Sequence, residues 1–384
     1  MLHVVVFSLV EGPLRAEFEA AGCQVIVRTD VGIFGTRSEQ ELRATLKPII
    51  NEMQSLGVDV VIANTVIAHW AMIAGQSLGL PTLWIIHESE PPFSHLDGLG
   101  ETHVALARQA FANSYRNIFV ARSTLDLYAP FAGGDNLSVI YNGFNAKHAA
   151  DELSLYDRDS ERARLGVAPD NLLFILPGTV CERKSQQDLV AALPLLPASA
   201  SACRFVIVGD RDGTYSRQLH AMVDRLPDHL RERITIIGET PDVWRYYSAA
   251  DGMVFPSHLE SFPRVIQEAM FAGLAIVSTP VFGISEQLRD RQSGLFFKPG
   301  DIQGLAEAIG AVAGDRALRQ KLSHNARLSL SRFPTISAMQ DKYGSLVREA
   351  ALAQPRVSNT RSMRPWIRSQ GAEHGRWWNI LCSK

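Results

Sequence analysis

The chain has 384 residues, of which 46% are hydrophobic and 20% are charged, and its formal net charge is −2 at pH 7. This length exceeds what one ordinary hydrophobic core needs and suits two domains. The nearly neutral charge argues against a general nucleic-acid-binding protein, which would carry a basic excess. No apolar run approaches the length of a membrane span, and the first residues do not resemble a signal peptide, so we expect a chain without a leader.

The cysteines give a further indication of compartment. The four are Cys23, Cys181, Cys203 and Cys382. They form no Cys-x-x-Cys pair and have no histidine at a metal-binding spacing, so we expect no metal site. We expect mostly buried, small hydrophobic side chains in a reducing, cytoplasmic environment.

Short apolar, β-branched runs alternate with amphipathic segments along most of the chain. The strands expected in the first half are 2–7, 24–28, 59–63, 82–87, 117–120 and 137–140, with helices at 14–21, 39–56, 67–78, 101–112 and 123–128. The strands expected in the second half are 172–176, 204–208, 234–237, 252–255, 275–278 and 294–296, with helices at 186–195, 215–226, 243–249, 264–272 and 302–313. Alternation of helices with fully apolar strands is typical of a parallel sheet covered on both faces. The sequence therefore predicts an α/β protein with two doubly wound, Rossmann-like domains.

The domain boundary is predicted from a change in composition. A turn signal at 141–143 precedes the polar, charge-dense stretch 151–164, which we interpret as an inter-domain connection. The predicted domains are an N-terminal domain at 1–145 and a C-terminal domain at 146–335, followed by a helix at 336–353 and a tail at 354–384.

The tail is basic and rich in tryptophan. Its basic residues are Arg356, Arg361, Arg364, Arg368, Arg376 and Lys384, and its tryptophans are Trp366, Trp377 and Trp378. One hypothesis is a peripheral contact with the inner face of a membrane. The other is a disordered extension without a function, which the lack of an apolar periodicity favours.

The segment 257–268 contains the most informative pattern. Pro263 suits the first turn of a helix, and the N–H groups of Arg264 and Val265 then have no acceptor inside that helix. Such N–H groups at the positive end of a helix favour an anion, of which a diphosphate is one example.

Two carboxylates flank this helix start. Glu268, one to two turns along the helix, is able to accept hydrogen bonds from a vicinal diol such as a ribose, and Glu260, ahead of the helix, from a second hydroxylated group. Acids are also common in the first half of a helix for electrostatic reasons alone. The strand at 252–255 ends just before this segment, at the carboxyl edge where doubly wound sheets bind ligands. The pattern therefore indicates a nucleotide-sugar site.

Taken in order, several motifs resemble the family-four retaining glycosyltransferases, which have the GT-B fold, two Rossmann-like domains facing a cleft. The matching segments are Gly178–Lys184, Phe205–Asp210, Gly238–Val243, Tyr246–Tyr247, Ala250–Asp251, Pro256–Ser257, Glu260–Met270 with the Glu-x7-Glu spacing, Thr279, Gly283–Glu286, Ser293–Leu295 and Pro299–Asp301. The resemblance covers about residues 171–345 and continues more weakly towards the start.

The resemblance implies a role for each matching residue. The catalytic residues implied are Lys184, Glu260 and His87. The donor-binding residues implied are Arg183, Ser261, Phe262, Pro263, Arg264, Val265 and Glu268. Lys184, helped by Arg183, would stabilise the leaving diphosphate, because a preorganised cation acts where charge develops. Glu268 would hold the ribose, Glu260 would approach the transferred sugar, and the N–H groups at 261–265 would bind sugar hydroxyls and phosphate.

His87 is the one implied catalytic residue in the first half of the chain. It ends a predicted strand, beside Glu88, at the position where the family supplies a histidine that faces the donor sugar. A hydrogen-bonded loop residue without a catalytic role is the alternative. Glu286 is interpreted as a structural acid and is left outside the site.

The implied reaction is a front-face substitution with retention, in polysaccharide or glycolipid synthesis. The acceptor hydroxyl of a saccharide or lipid-linked acceptor attacks from the side on which the diphosphate leaves. The nucleotide-sugar is a substrate, and neither a cofactor nor a metal is expected, because Lys184 and the helix start would supply the positive charge that a metal supplies elsewhere.

The chain departs from the family in two places. The Gly-rich loop that usually follows the first strand is not found, and the opening residues resemble the second strand–turn–helix unit of the family. We therefore expect the first βα unit to be missing, through truncation or a misassigned start, with activity compromised. The phosphate-binding arginine five residues before the family's lysine is here Thr179.

Two other functions remain as alternatives. One is a degenerate, non-catalytic GT-B protein that binds a nucleotide-sugar or a partner enzyme. The other is a nucleotide-sugar epimerase of the same fold, which would change the configuration of the donor without an acceptor.

Overall fold

The computed structural model describes residues 3–353, which form two compact units. The first unit contains residues 3–120, 124–142 and 336–353, and the second contains 121–123 and 143–335. Cys382 and the tail at 354–384, with its predicted membrane contact, lie outside the described residues. Within those residues, no helix is both long enough and apolar enough to cross a membrane.

The first unit consists of parallel strands and the helices packed on them. Its strands are β1 (Val5–Ser8), β2 (Gln24–Val27), β3 (Val61–Asn64), β4 (Thr82–Ile86), β5 (Arg116–Phe119) and β6 (Leu137–Val139). Its first helices are α1 (Arg15–Ala20), α2 (Glu39–Ser55), α3 (His69–Ser77), α4 (Glu101–Ala112) and α5 (Arg122–Tyr128). Helix α2 begins with a capping box, in which Ser38 and Glu41 each bind the other's backbone N–H.

The strands of this unit lie in two sheets. Strands β3, β4, β5 and β6 form a four-stranded parallel sheet, and β1 pairs only with β2 in a separate parallel sheet. Strand β1 is an edge of the small sheet and β3 is an edge of the large one. Each therefore presents backbone N–H and C=O groups that no neighbouring strand of the described residues pairs.

The second unit contains a six-stranded parallel sheet. Its helices are α6 (Ala146–Leu153), α7 (Arg158–Arg164), α8 (Gln186–Ala192), α9 (Thr214–Asp224), α10 (Asp228–Arg231), α11 (Trp244–Ala249), α12 (Arg264–Ala272), α13 (Ile284–Gln287), α14 (Ile302–Gly314) and α15 (Arg316–Ser329). Its strands are β7 (Leu173–Pro177), β8 (Arg204–Asp210), β9 (Ile234–Gly238), β10 (Gly252–Phe255), β11 (Ala275–Ser278) and β12 (Leu295–Phe296).

The strands of this sheet are covered on both faces. On β7, Phe174 and Leu176 face one hydrophobic core while Leu173 and Ile175 face another. All five residues of β7 are buried, which is why the sequence shows a continuous apolar run there and not an alternation of apolar and polar residues. The α/β fold with parallel, Rossmann-like sheets is as predicted.

The strand order fixes where a ligand site belongs. The order is β12-β11-β10-β7-β8-β9, so the chain builds outward from β7 in one direction and then returns to add β10 on its other side. The point between β7 and β10 is therefore the topological switch point, and the loops at the carboxyl ends of these two strands face it.

The interpretation of 151–164 as an inter-domain connection is wrong. Most of this stretch is helical, in α6 and α7, and both helices belong to the second unit. Its charges hold the unit together: Arg162 donates to Asp251 over 3.0 Å, and Arg158 donates to the other oxygen of the same carboxylate over 2.5 Å. Arginines in this charge-dense stretch form ion pairs with Asp251, about ninety positions away, and a local sequence pattern does not show such a partner.

The last helix, α16 (Ile336–Leu352), belongs to the first unit. Its buried face, which includes Met339, Tyr343 and Val347, packs with Leu83 and Ile85 of β4. The chain therefore returns to its first unit after completing the second.

A buried pair of histidines joins α3 to α4. His69 Nε2 lies 2.9 Å from His103 Nδ1, and His103 Nε2 lies 3.0 Å from the hydroxyl of Thr36. His69 Nδ1 lies 3.1 Å from the carbonyl of Ile67. Both rings are fully buried, and burial lowers the pKa of His69 to about 4.

We expect acid to destabilise the protein through His69. Its pKa is lower in the folded chain than in the unfolded one. The contribution of neutral His69 to the free energy of unfolding is therefore complete above pH ~6.5. It is lost as the pH falls towards about 4, by about 1.4 kcal/mol per pH unit. The measurement is urea unfolding at several pH values, comparing the wild type with His69→Gln, which should respond less steeply to pH. Equal pH dependence in the two proteins would contradict this assignment.

Candidate functional site

The candidate site is built from two loops of the second unit. One follows β7 and contains Arg183 and Lys184; the other follows β10 and contains Glu260. The N–H of His258 donates to the carbonyl of Arg183 over 2.8 Å, which fastens the two loops to each other. The strand order thus brings together residues that are more than seventy positions apart in the sequence.

An ion pair lies at the centre of this junction. Lys184 Nζ is 2.5 Å from Glu260 Oε1, and both side chains are more than nine-tenths buried. The ammonium also lies 4.5 Å from the centre of the Phe255 ring, a cation–π contact. Burial lowers the pKa of Lys184, while the carboxylate of Glu260 opposes that shift.

Arg183 shares the same carboxylate but is far more exposed. Its Nη1 donates to Glu260 Oε1 over 3.0 Å and to the carbonyl of Leu259 over 3.4 Å, while 48% of its side chain remains exposed. Two cations therefore share one carboxylate, so these three side chains together carry one positive charge. Arg183 is the cation that an anion in solution reaches first.

Gly178 supplies a backbone conformation that this loop needs. Its φ of +125° is one that side-chain-bearing residues rarely adopt, and a Cβ there would lie 3.5 Å from the side chain of Lys184. Thr179 follows, and its hydroxyl donates to Glu239 over 3.4 Å.

The start of α12 is open to an anion. Pro263 is its N-cap residue, no side chain caps the helix, and no acid lies in its first turn. The N–H groups of Arg264 and Val265, in that first turn, therefore face away from the helix without a side-chain acceptor. Anion binding at this helix end stays a prediction.

Gly283 and Phe262 fix the loop that enters α12. A Cβ on Gly283 would stand only 1.7 Å from the carbonyl oxygen of Ser261, so only glycine fits. The ring of Phe262 is buried and packs edge-on against Phe333, at 5.2 Å between ring centres. The side chain of Phe262 is thus structural, and only its backbone is able to face a ligand.

Glu268 lies one turn into α12 and has a partner that the sequence did not reveal. The hydroxyl of Tyr247 donates to Glu268 Oε2 over 2.9 Å. Burial raises the pKa of Glu268, and the Tyr247 hydrogen bond opposes that shift. The Tyr246–Tyr247 pair was part of the family resemblance, but nothing local in the sequence joins it to a carboxylate twenty-one positions away.

His87 lies in the first unit, directly after β4. Its Nε2 donates to Asn64 Oδ1 over 2.8 Å, and burial lowers its pKa to about 4. The ring is therefore neutral at pH 7, with its proton on Nε2. The neighbouring carboxylate of Glu88 accepts the backbone N–H groups of His87 and Val66.

Glu286 has the structural role that the sequence suggested. Its carboxylate accepts the backbone N–H groups of Arg122 and Ser123 and the Ser123 hydroxyl, at 2.8–3.0 Å. It therefore binds residues 121–123 to the rest of the second unit. In the described part of the chain, no group of three or more His, Cys, Asp or Glu side chains is arranged to hold a metal ion.

Comparisons with known proteins agree with this architecture. Residues 157–329 match the family described as Glycosyl transferases group 1, and residues 2–148 match Glycosyltransferase Family 4. A D-inositol 3-phosphate glycosyltransferase of Nocardia farcinica (strain IFM 10152) is 28% identical over 65% of this chain and 58% of its own length. A glycogen synthase of Mycobacterium tuberculosis (strain ATCC 25618 / H37Rv) is 30% identical over 71% of this chain and 64% of its own length. The matches thus span less than two thirds of these relatives.

Solved structures show the same fold. HepE of Anabaena, solved in complex with UDP-glucose, has a TM-score of 0.72 at 22% identity and covers 90% of this chain and 91% of its own. A sucrose-phosphate synthase from Thermosynechococcus elongatus has a TM-score of 0.70 at 22% identity, over 91% and 90% of the two chains. At this identity the similarity establishes the fold, which is GT-B.

We expect the stability of the second unit to depend on the Lys184–Glu260 pair. Glu260→Gln should cost roughly 3–5 kcal/mol because it leaves a buried ammonium without its main counter-charge. Lys184→Met combined with Glu260→Gln should recover part of this loss. The measurement is urea unfolding, with Arg183→Gln as the half-exposed control that should change stability by about 1 kcal/mol or less. A Glu260→Gln protein as stable as the wild type would refute the pairing.

Proposed function

Because the chain carries a Glycosyl transferases group 1 domain and a Glycosyltransferase Family 4 domain in a GT-B fold, we propose that it transfers a sugar from a nucleotide-diphosphate-sugar to an acceptor hydroxyl with retention. The observation that carries the proposal is the junction at the switch point of the second unit. There, the cations Arg183 and Lys184 and the open start of α12 follow the adjacent strands β7 and β10.

The diphosphate of the donor would be held by this positive charge. Arg183, being half exposed, makes the first contact, and the N–H groups of Arg264 and Val265 add the positive end of α12. Lys184 contributes its charge from a buried position, where an electrostatic interaction is stronger than in water. We propose that these groups act without a metal ion.

The two acids of the Glu-x7-Glu motif would have different tasks. Glu268 Oε2 already accepts a hydrogen bond from Tyr247, so its other oxygen is the one that would accept from the ribose diol. Glu260 is paired with Lys184 and Arg183, so we propose that it orients these cations beside the donor. It would contact the sugar only through lone pairs that the two cations do not occupy.

The reaction needs cations placed where the leaving group gains charge. The bond between the sugar's anomeric carbon and the diphosphate oxygen breaks, and the acceptor oxygen bonds to the same face of that carbon. The acceptor's proton passes to the leaving phosphate oxygen, so no carboxylate nucleophile is required. Arg183 and Lys184 stabilise the diphosphate as negative charge develops on it.

His87 would contact the donor sugar as a neutral group. Its Nε2 proton is committed to Asn64, so the nitrogen without a proton is Nδ1, which is a hydrogen-bond acceptor.

The donor and acceptor are proposed by class. HepE was solved with UDP-glucose, so UDP-glucose is the first donor to test, followed by GDP-, ADP- and TDP-sugars. The curated relatives are named for D-inositol 3-phosphate and for glycogen, and we propose a saccharide or lipid-linked saccharide as the acceptor, in polysaccharide or glycolipid synthesis.

Activity of the full chain should appear as a new glycoside that keeps the anomeric configuration of the donor. The experiment screens the donors by thermal shift, then incubates each stabilising donor with and without acceptors and identifies products by NMR. Donor binding without any transfer would support the non-catalytic alternative. A new epimer formed without an acceptor would support the epimerase alternative, and an inverted product would rule out retention.

Variants of the proposed site should lose catalytic efficiency. Glu268→Ala and Lys184→Ala should each lower kcat/KM by at least about tenfold, equivalent to about 1.4 kcal/mol, by removing the ribose acceptor or the buried cation. Arg291→Gln, which changes an exposed arginine outside the two loops, is the matched control. Wild-type kinetics in both site variants would refute the assignment, and circular dichroism checks that each variant is folded.

A further inference from the structure

A second concave site in the second unit is lined by residues outside the two loops described above. It has a volume of about 380 Å³. It is lined by Arg289, Gln292, Ser293, Asn325, Leu328, Ser329 and Arg332. Two of these residues are cationic and none is acidic.

Arg332 is positioned by backbone carbonyls, and neither arginine is positioned by a carboxylate. Arg332 donates from Nη2 to the carbonyl of Gln287 over 2.8 Å and from Nε to the carbonyl of Ser329 over 3.3 Å. In residues 3–353, no carboxylate lies within ion-pair distance of either Arg332 or Arg289. Elsewhere in this unit, by contrast, Arg158, Arg162 and Arg183 are each paired with an acid.

The two guanidinium groups repel each other. Partial burial lowers the pKa of Arg332, and the charge of Arg289 lowers it further. Like charges beside one concavity, without a counter-charge, leave a positive potential that an anion would relieve.

The remaining lining residues add polar groups at the same place. Ser293 is buried, and its hydroxyl oxygen accepts the backbone N–H of Arg289 over 2.9 Å, which leaves its own O–H to donate. Asn325 donates to the carbonyl of Gln292 over 2.8 Å and so holds the loop against α15. Leu328, 61% exposed, forms an apolar border.

We propose that this concavity, the Arg289–Arg332 site, binds a phosphate group. A guanidinium presents paired N–H donors that match two oxygens of a phosphate, and two guanidiniums with a serine hydroxyl supply donors to several of its oxygens. The phosphate is that of a small molecule or of a lipid headgroup, for which Leu328 offers an apolar contact. The site is independent of the proposed glycosyl transfer.

The test is a calorimetric titration of the full chain with inorganic phosphate. The titration is repeated in Arg183→Gln, so that binding at the donor loops contributes less to the signal. In that background, Arg289→Gln and Arg332→Gln should each weaken phosphate binding at least about tenfold. Arg332→Lys should retain part of the affinity because it keeps the charge but loses the paired donors.

Arg291→Gln is the control, since it removes an exposed positive charge from the same loop without touching the lining. A loss in this control equal to that in Arg289→Gln would show a general effect of charge and overturn the site. Cosedimentation with vesicles, with and without a phosphate-bearing anionic lipid, distinguishes the sources: lipid-dependent sedimentation that needs both arginines identifies a headgroup. The proposal would also be overturned if the folded wild type showed neither phosphate binding nor such sedimentation.

Discussion

The ion pair between Lys184 and Glu260 is the contact on which the candidate site depends. A buried ammonium without a partner is costly, and so is a buried carboxylate. Each side chain therefore holds the other in place, and with them the loops after β7 and β10. Because these strands flank the switch point of the sheet, the pair sets the shape of the place where a doubly wound sheet binds its ligand.

The same pair determines how the two cations of the site differ. Lys184 is buried, rigid and matched to a carboxylate, whereas Arg183 shares that carboxylate from a half-exposed position. A cation that is already ordered costs little to reorganise when a ligand arrives. Arg183 is free to contribute paired donors to an anion. The arrangement separates a fixed charge from an adaptable one, which the spacing of Arg183 and Lys184 in the sequence does not reveal.

The bounds of a strand or helix were predictable from the sequence where the burial of its own residues determines them. The strands Gly252–Phe255 and Ala275–Ser278 and the helix Arg264–Ala272 have the predicted bounds, because fully buried strands are continuous apolar runs and the helix is bounded by Pro263 and Gly273. Helix α7 was missed, since Arg158 and Arg162 pair with Asp251 across the fold. The side-chain partners at the site, Tyr247 for Glu268 and Asn64 for His87, were missed for the same reason.

The two acids of the Glu-x7-Glu motif show why spacing predicts a site better than it predicts roles. Both were found from the sequence as acceptors for hydroxyl groups. In the structure, Glu260 lies against two cations, whereas Glu268 is held by the neutral hydroxyl of Tyr247. A carboxylate that neutralises cations has few lone pairs left for a sugar, and one that accepts a single neutral hydrogen bond keeps an oxygen for a ligand. Their environments, not their positions in the motif, are therefore the basis on which we propose charge compensation for Glu260 and ligand recognition for Glu268.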